Sequence, residues 1–176
     1  MITFKKIWND RSAAAAAEMA LVAPLLLIII VGSIETGNYF LSEHILVKGL
    51  RDGARYAARQ GFTNFSACSG QVPTPGTAGS PFENTKLLVR KGSLNSSDAD
   101  RLPNWTAGTT SFDVTLTCSA QPGGQPYQGI YKNSAGGAPV VTVSATVPYR
   151  PVMPVFGSSS LGLKLNAKQQ ASVMGI

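Results

Sequence analysis

Few side chains in this sequence stand where they could do chemistry, and the clearest is a carboxylate among apolar residues. Glu18 follows a run of five alanines and precedes sixteen uncharged residues, Met19 to Ile34. A charge at the centre of a bilayer costs on the order of 2.5–3.5 kcal/mol, but Glu18 lies near one end of the run. There it either sits at headgroup level beside a helix N-terminus, where negative charge is favoured, or pairs with a cation brought by a neighbour. Cys68 and Cys118 are the only cysteines and are open to three readings: a disulfide, two free thiols, or half a metal site. His44, the only histidine, stands alone on a helical pattern and completes no ligand set, so no metal is expected. Asp98 and Asp100, with Asn95, Ser96 and Ser97, read as a turn rather than a cation site. The chain has no phosphate-binding glycine loop, no nucleophile motif and no acid–base pair with supporting groups. An enzyme is therefore not expected, nor a cofactor or small-molecule substrate.

The element that must position Glu18 is the apolar run itself. It extends from Ala13 to Ile34 with Pro24 as its one helix breaker, long enough for the roughly 20 residues that a membrane-spanning helix needs. Lys5, Lys6 and Arg11 precede it against Asp10 alone, and cationic flanks stay on the cytoplasmic side. The N-terminus is thus expected in the cytoplasm and the rest of the chain across a single span. The competing reading is a secretory signal cut after Ser33, in the small residues Val31-Gly32-Ser33, which would release a secreted or periplasmic binding domain.

Past Ser33 the helical pattern continues. Leu46, Leu50, Ala54 and Ala58 recur every four residues, while Lys48, Arg51, Arg55 and Arg59 recur at three and four on another face, as on one amphipathic helix. The two stretches read as a single helix of about 46 residues, roughly 70 Å long. Gly32, Gly37, Gly49 and Gly53 each weaken it by up to about 1 kcal/mol relative to alanine. They fit positions of close helix packing, since small residues gather where membrane helices meet. The basic stripe is either an ordinary solvated face or a contact for anionic lipid or an acidic partner. The net charge of +6 is partly in this stripe and the leader, and no nucleic-acid module accompanies it.

Residues 13–60 resemble the TadE-like family, pseudopilin-like minor components of the bacterial tight-adherence (Flp-type) pilus system. The resemblance is carried by Ala14 to Leu27 with Glu18 and Pro24, by Ile34-Glu35-Thr36-Gly37, and by Arg51-Asp52-Gly53-Ala54-Arg55-Tyr56-Ala57-Ala58-Arg59. It implies a pilus assembly protein of the inner membrane with other pilus subunits as partners. It also implies a leader removed by a prepilin peptidase, with glutamate fifth in the mature chain, which sets the cut between Ala13 and Ala14. The family's usual glycine before the cut and aromatic after the glutamate are replaced here by Ala13 and Met19. A new amino group at Ala14 would then need a carboxylate, and Glu18 of a neighbouring subunit would supply it.

The chain accordingly divides into a basic leader (1–13), a transmembrane segment (14–34), an amphipathic extension (35–60) and an exported domain (61–176). Gly, Pro, Ser, Thr and Asn dominate 61–81 and 121–139 and mark long loops. Ser80, Pro81, Glu83 and Gly92 bracket a short helix as N-cap, first helical residue, first-turn acid and C-cap. Alternating apolar residues predict three strands: Phe112 to Cys118, Val141 to Tyr149, and Leu161 to Ala167. The expected class is α+β, a small antiparallel sheet packed on this helix near Leu87 or on the long helix at Leu50 and Ala54. Both cysteines fall on the exported side, where a Cys68–Cys118 disulfide is permitted. Closing about fifty residues would contribute on the order of 4 kcal/mol.

Overall fold

The computed structural model describes residues 11–65, 69–71, 77–119, 121–125, 127–132, 137–153 and 162–175. The leader's first ten residues, Cys68 and Leu161 lie outside that set. The apolar run and the amphipathic stretch form one unbroken helix, α1 (Arg11–Ala58), of 48 residues with Pro24 inside it, about 72 Å at the standard rise. Ser33 and Thr36 are accommodated on its exposed surface because their hydroxyls donate to the Ile29 and Gly32 carbonyls, both at 2.8 Å. Neither hydroxyl hydrogen is then left facing an apolar medium.

Four strands form one antiparallel sheet in chain order: β1 (Ser69–Gln71), β2 (Ser111–Ser119), β3 (Ala138–Pro148) and β4 (Lys164–Ser172). The registers run Ser69 against Thr117, Val114 against Val143 and Ala145 against Ala167. The period-two alternation read from the sequence appears as burial. Val141, Val143, Ala145, Val147 and Tyr149 point inward with Val114, Leu116 and Leu165. They pack on the outer half of α1, whose Leu46, Leu50, Ala54, Ala57 and Ala58 are each no more than 2% exposed. Of the two packing partners open to the sheet, the long helix provides this main one. The expected α+β class is present, and β1 adds a fourth, three-residue strand whose Ser-Gly-Gln has no apolar alternation to announce it.

The third predicted strand lies later than its apolar pattern suggested. β4 begins at Lys164 and continues through Gln169 and Gln170 to Ser172, because its backbone pairs with β3 along the whole length. Its outward face is polar: Asn166 meets Thr146 at 2.7 Å and Gln170 donates to Thr142 at 3.1 Å. Leu163 instead precedes the strand and is 42% exposed.

The second helix, α2 (Pro81–Lys91), is built by the caps its sequence carries. The Glu83 N–H donates to the Ser80 hydroxyl at 3.2 Å, and Gly92 closes the helix in the left-handed region at φ 81°. Its Phe82 meets Phe112 of β2 edge-on, with ring centroids 5.4 Å apart. Val89 and Thr85 face α1. After β4 the chain turns back on the end of α1, where the Met174 N–H donates to the Ala58 carbonyl at 2.8 Å. One of the orphan carbonyls of that helix end is thereby satisfied.

Candidate assembly surfaces of the long helix

The lower part of α1 is unlike the rest of the molecule. Leu21, Leu25, Leu27, Ile28 and Ile29 are all more than half exposed, and no part of the most apolar window is buried by the protein itself. By length and composition the helix is able to cross a membrane. Ala13 and Ala14 fall in its first turn. Glu18 is exposed on this surface, with no hydrogen bond or ion pair to another described residue.

The four candidate packing glycines separate into two pairs. A side chain added at Gly32 or Gly37 would meet no described atom within 4 Å. At Gly49 a Cβ would stand 2.7 Å from the Val89 carbonyl oxygen, and at Gly53 it would collide with the Val89 side chain. Gly49 and Gly53 therefore let α2 approach α1 within the same chain. The ion pair of Arg101 with Asp52, at 3.7 Å, sits beside this contact. Arg101 also lies across Gly92, tying the end of α2 to the long helix.

The Arg51–Arg59 segment is explained residue by residue by this packing. Asp52 pairs with Arg101, Gly53 admits α2, and the Tyr56 hydroxyl accepts from Asn84 at 3.1 Å. Ala54, Ala57 and Ala58 are core. Arg51, Arg55 and Arg59 point away, exposed, in line with exposed Lys48 and His44. Among the described residues these four cations have no hydrogen-bond or ion-pair partner.

A further site appears where the apolar run ends. Glu35 is half-buried, and its carboxylate gathers three donors from a segment more than a hundred residues away. The Tyr149 hydroxyl donates to Oε1 at 2.7 Å, and the Val152 and Met153 N–H groups donate to Oε2 at 3.1 and 3.3 Å. Asn38, one turn on, donates to the same phenol oxygen at 2.7 Å, and Tyr39 packs edge-on against the Tyr149 ring at 5.2 Å. Burial, with the neighbouring carboxylate adding to it, pushes the Tyr149 pKa up. The phenol is thus held as a donor. Sequence reasoning noted Glu35 only as part of a pattern. The available signal was a second acid one residue past the apolar run, where an unpartnered charge is costly.

Of the two acids read as a turn, Asp98 closes one, its N–H donating to the Asn95 carbonyl at 3.3 Å, and Asp100 beyond it is held in an ion pair. Arg90 grips both oxygens of Asp100 at 2.5 and 2.7 Å, and Asp98 accepts from Ser93 and from Asn95. The hydrogen bond from Arg90 is the main cause that lowers the Asp100 pKa, with burial opposing it. Cys118 is half-buried near the end of β2, next to Thr117, which pairs with Ser69.

Residues 13–55 match the family model for TadE-like protein. The long helix is TadE-like. The match runs from the start of the apolar run through Glu35 and both packing glycines of the outer half, and ends at the exposed Arg55. It includes none of the strands. No curated protein and no solved structure matches the chain.

Proposed function

We propose that this chain is a membrane-anchored, pseudopilin-like structural subunit of a bacterial tight-adherence pilus system, acting by helix packing in the membrane and by subunit contacts outside it. The observation that carries this reading is the TadE-like match over span and extension. Its sense is physical: α1 has an unburied apolar half suited to lipid or sister helices and an outer half built into a folded headpiece. The N-terminus lies in the cytoplasm and the headpiece outside the inner membrane, in keeping with Lys5, Lys6 and Arg11 before the span. The partners are other pilus assembly subunits, membrane lipid, and the prepilin peptidase that cuts between Ala13 and Ala14. Glu18, without a partner among the described residues, then neutralises the new amino group of a neighbour. Losing one member of such a buried pair typically costs about 3–5 kcal/mol. Gly32 and Gly37, where an added side chain would meet no described residue, are where sister helices approach.

The same proposal includes a Cys68–Cys118 disulfide. Cys118 lies in β2, the strand that β1 pairs with, and Cys68 immediately precedes β1 in the sequence. The bond would staple the short β1 to the sheet. Release after Ser33 has less support, since that cut falls inside α1, whose following turns belong to the headpiece.

The deciding measurement is intact mass and N-terminal sequence of protein from its own membranes, with and without the prepilin peptidase, and with alkylation before and after reduction. A peptidase-dependent start at Ala14 and alkylation only after reduction are expected. A start near Ile34 overturns the anchored subunit, and an uncut chain leaves an integral assembly factor without the Glu18 pairing.

A further inference from the structure

We infer that the outward face of the upper α1, together with the groove at its end, is a docking surface for an acidic, amphipathic segment of a different protein. Two independent features carry this. The first is the column Lys48, Arg51, Arg55 and Arg59, four exposed cations without partners among the described residues. Arg51, Arg55 and Arg59 are spaced at four, so each repels the next along the helix. Such a column works against the isolated helix.

The second feature is a groove of about 510 Å³ at the top of that column, lined by Arg55, Arg59, Ile130, Tyr131, Ala171 and Met174 among others. Ile130 is 61% and Met174 52% exposed, on a headpiece whose other apolar side chains mostly turn inward. Cations beside an open apolar groove fit a segment that offers carboxylates at helical spacing and one or two apolar side chains.

Charge and distance select the occupant. A second copy meeting this face with its own would set Arg against Arg, and one meeting it with another face is an outcome that the test below separates. Lys48 stands near enough to the membrane to reach lipid, but the groove end of the column does not. Even if the interface rises to the exposed Phe40 and Leu41, Arg55 stands about 21 Å further along the helix, against a screening length of about 8 Å at physiological salt. An ordinary tilt of about 20° shortens that height little. An acidic partner of another sequence is what remains. The inference rests on the membrane-anchored reading of α1 and not on the pilus.

The test is photocrosslinking in the protein's own cells, with p-benzoylphenylalanine replacing Ile130 in the full chain. It is run in the parent and in the Arg51→Lys/Arg55→Lys/Arg59→Lys and Arg51→Glu/Arg55→Glu/Arg59→Glu backgrounds. Membrane fractionation of the same samples reports anchoring separately, so a failure of that reading is seen as such. The expected result is an adduct to a different protein at a site flanked by Asp or Glu. It is kept by the lysine variant and reduced about tenfold by the glutamate variant. Exchanging the partner's acids for lysine restores it in the glutamate background. Trypsin resistance checks folding, and Arg59→Glu alone replaces the triple variant if the latter fails that check. An adduct to a second copy or to lipid, one insensitive to charge reversal, or none from an anchored chain overturns the inference.

Discussion

Glu35 shows how much one carboxylate can organise. Its two oxygens accept from a phenol and two backbone N–H groups, so it joins the top of the apolar helix to the connection after β3. A hydrogen bond to a charged group contributes about 1.5–3 kcal/mol. Tyr149→Phe should therefore lower headpiece stability by about that much, and Glu35→Gln by a similar amount, because an amide presents an acceptor to only one side of the ring of donors. Urea unfolding of the detergent-solubilised chain would measure both, and unchanged midpoints would show the clamp to be energetically idle. Asp100 gives a pH dependence. Its folded pKa is below the ordinary value of about 3.9, so its stabilising contribution is present above that value and is lost as pH falls through the folded one. Asp100→Asn should lower stability at neutral pH and flatten its fall below about pH 4, read from urea midpoints between pH 7 and 2.

At the scale of elements, the glycines of α1 have opposite consequences. Gly→Ala in an exposed helix interior usually gains up to about 1 kcal/mol, and that gain is expected at Gly32 and Gly37, where a methyl group meets nothing. At Gly49 the obstacle is the Val89 carbonyl oxygen, backbone that cannot rotate away, so Gly49→Ala should destabilise by about 1–3 kcal/mol. If Gly32→Ala or Gly37→Ala leaves protomer melting unchanged or raised yet abolishes assembly, the contact lies between subunits. What the sequence revealed follows the same division. Continuous apolarity marked the span, strict alternation marked β2 and β3, and Ser80, Pro81 and Gly92 marked α2, because each signal is local. The Glu35 clamp was not legible, since its partners are over a hundred residues away. The early start predicted for β4 came from reading Leu161 and Leu163 as core, whereas the strand is fixed by pairing with β3 and keeps a polar outer face. The glycine pairs looked alike until α2 was seen lying against one of them.

For the whole molecule, the apolar and amphipathic halves of α1 are one element of secondary structure but belong to different environments. The core draws Leu46, Leu50, Ala54 and Ala57 from the helix, with Tyr39 packed against that cluster, while the most apolar window contributes nothing to it. Removing the helix up to Ser33 should therefore leave a folded headpiece. It keeps Glu35, its Tyr149 contact and every α1 residue of the core, and its melting temperature should match that of the anchored chain. Removing it up to Gln60 takes away five buried side chains, Leu46, Leu50, Ala54, Ala57 and Ala58. At about 2–5 kcal/mol for each leucine cut back to alanine alone, Leu46 and Leu50 together approach or exceed the 5–15 kcal/mol that holds a typical domain. The sheet would also expose the face that covers them. That shorter fragment should be unfolded or aggregated by circular dichroism and size exclusion, and the longer one monomeric and cooperative. If both fold alike, the sheet has a core of its own and α1 is only a stalk; if neither folds, the membrane half stabilises the headpiece through contacts that a protomer alone does not make.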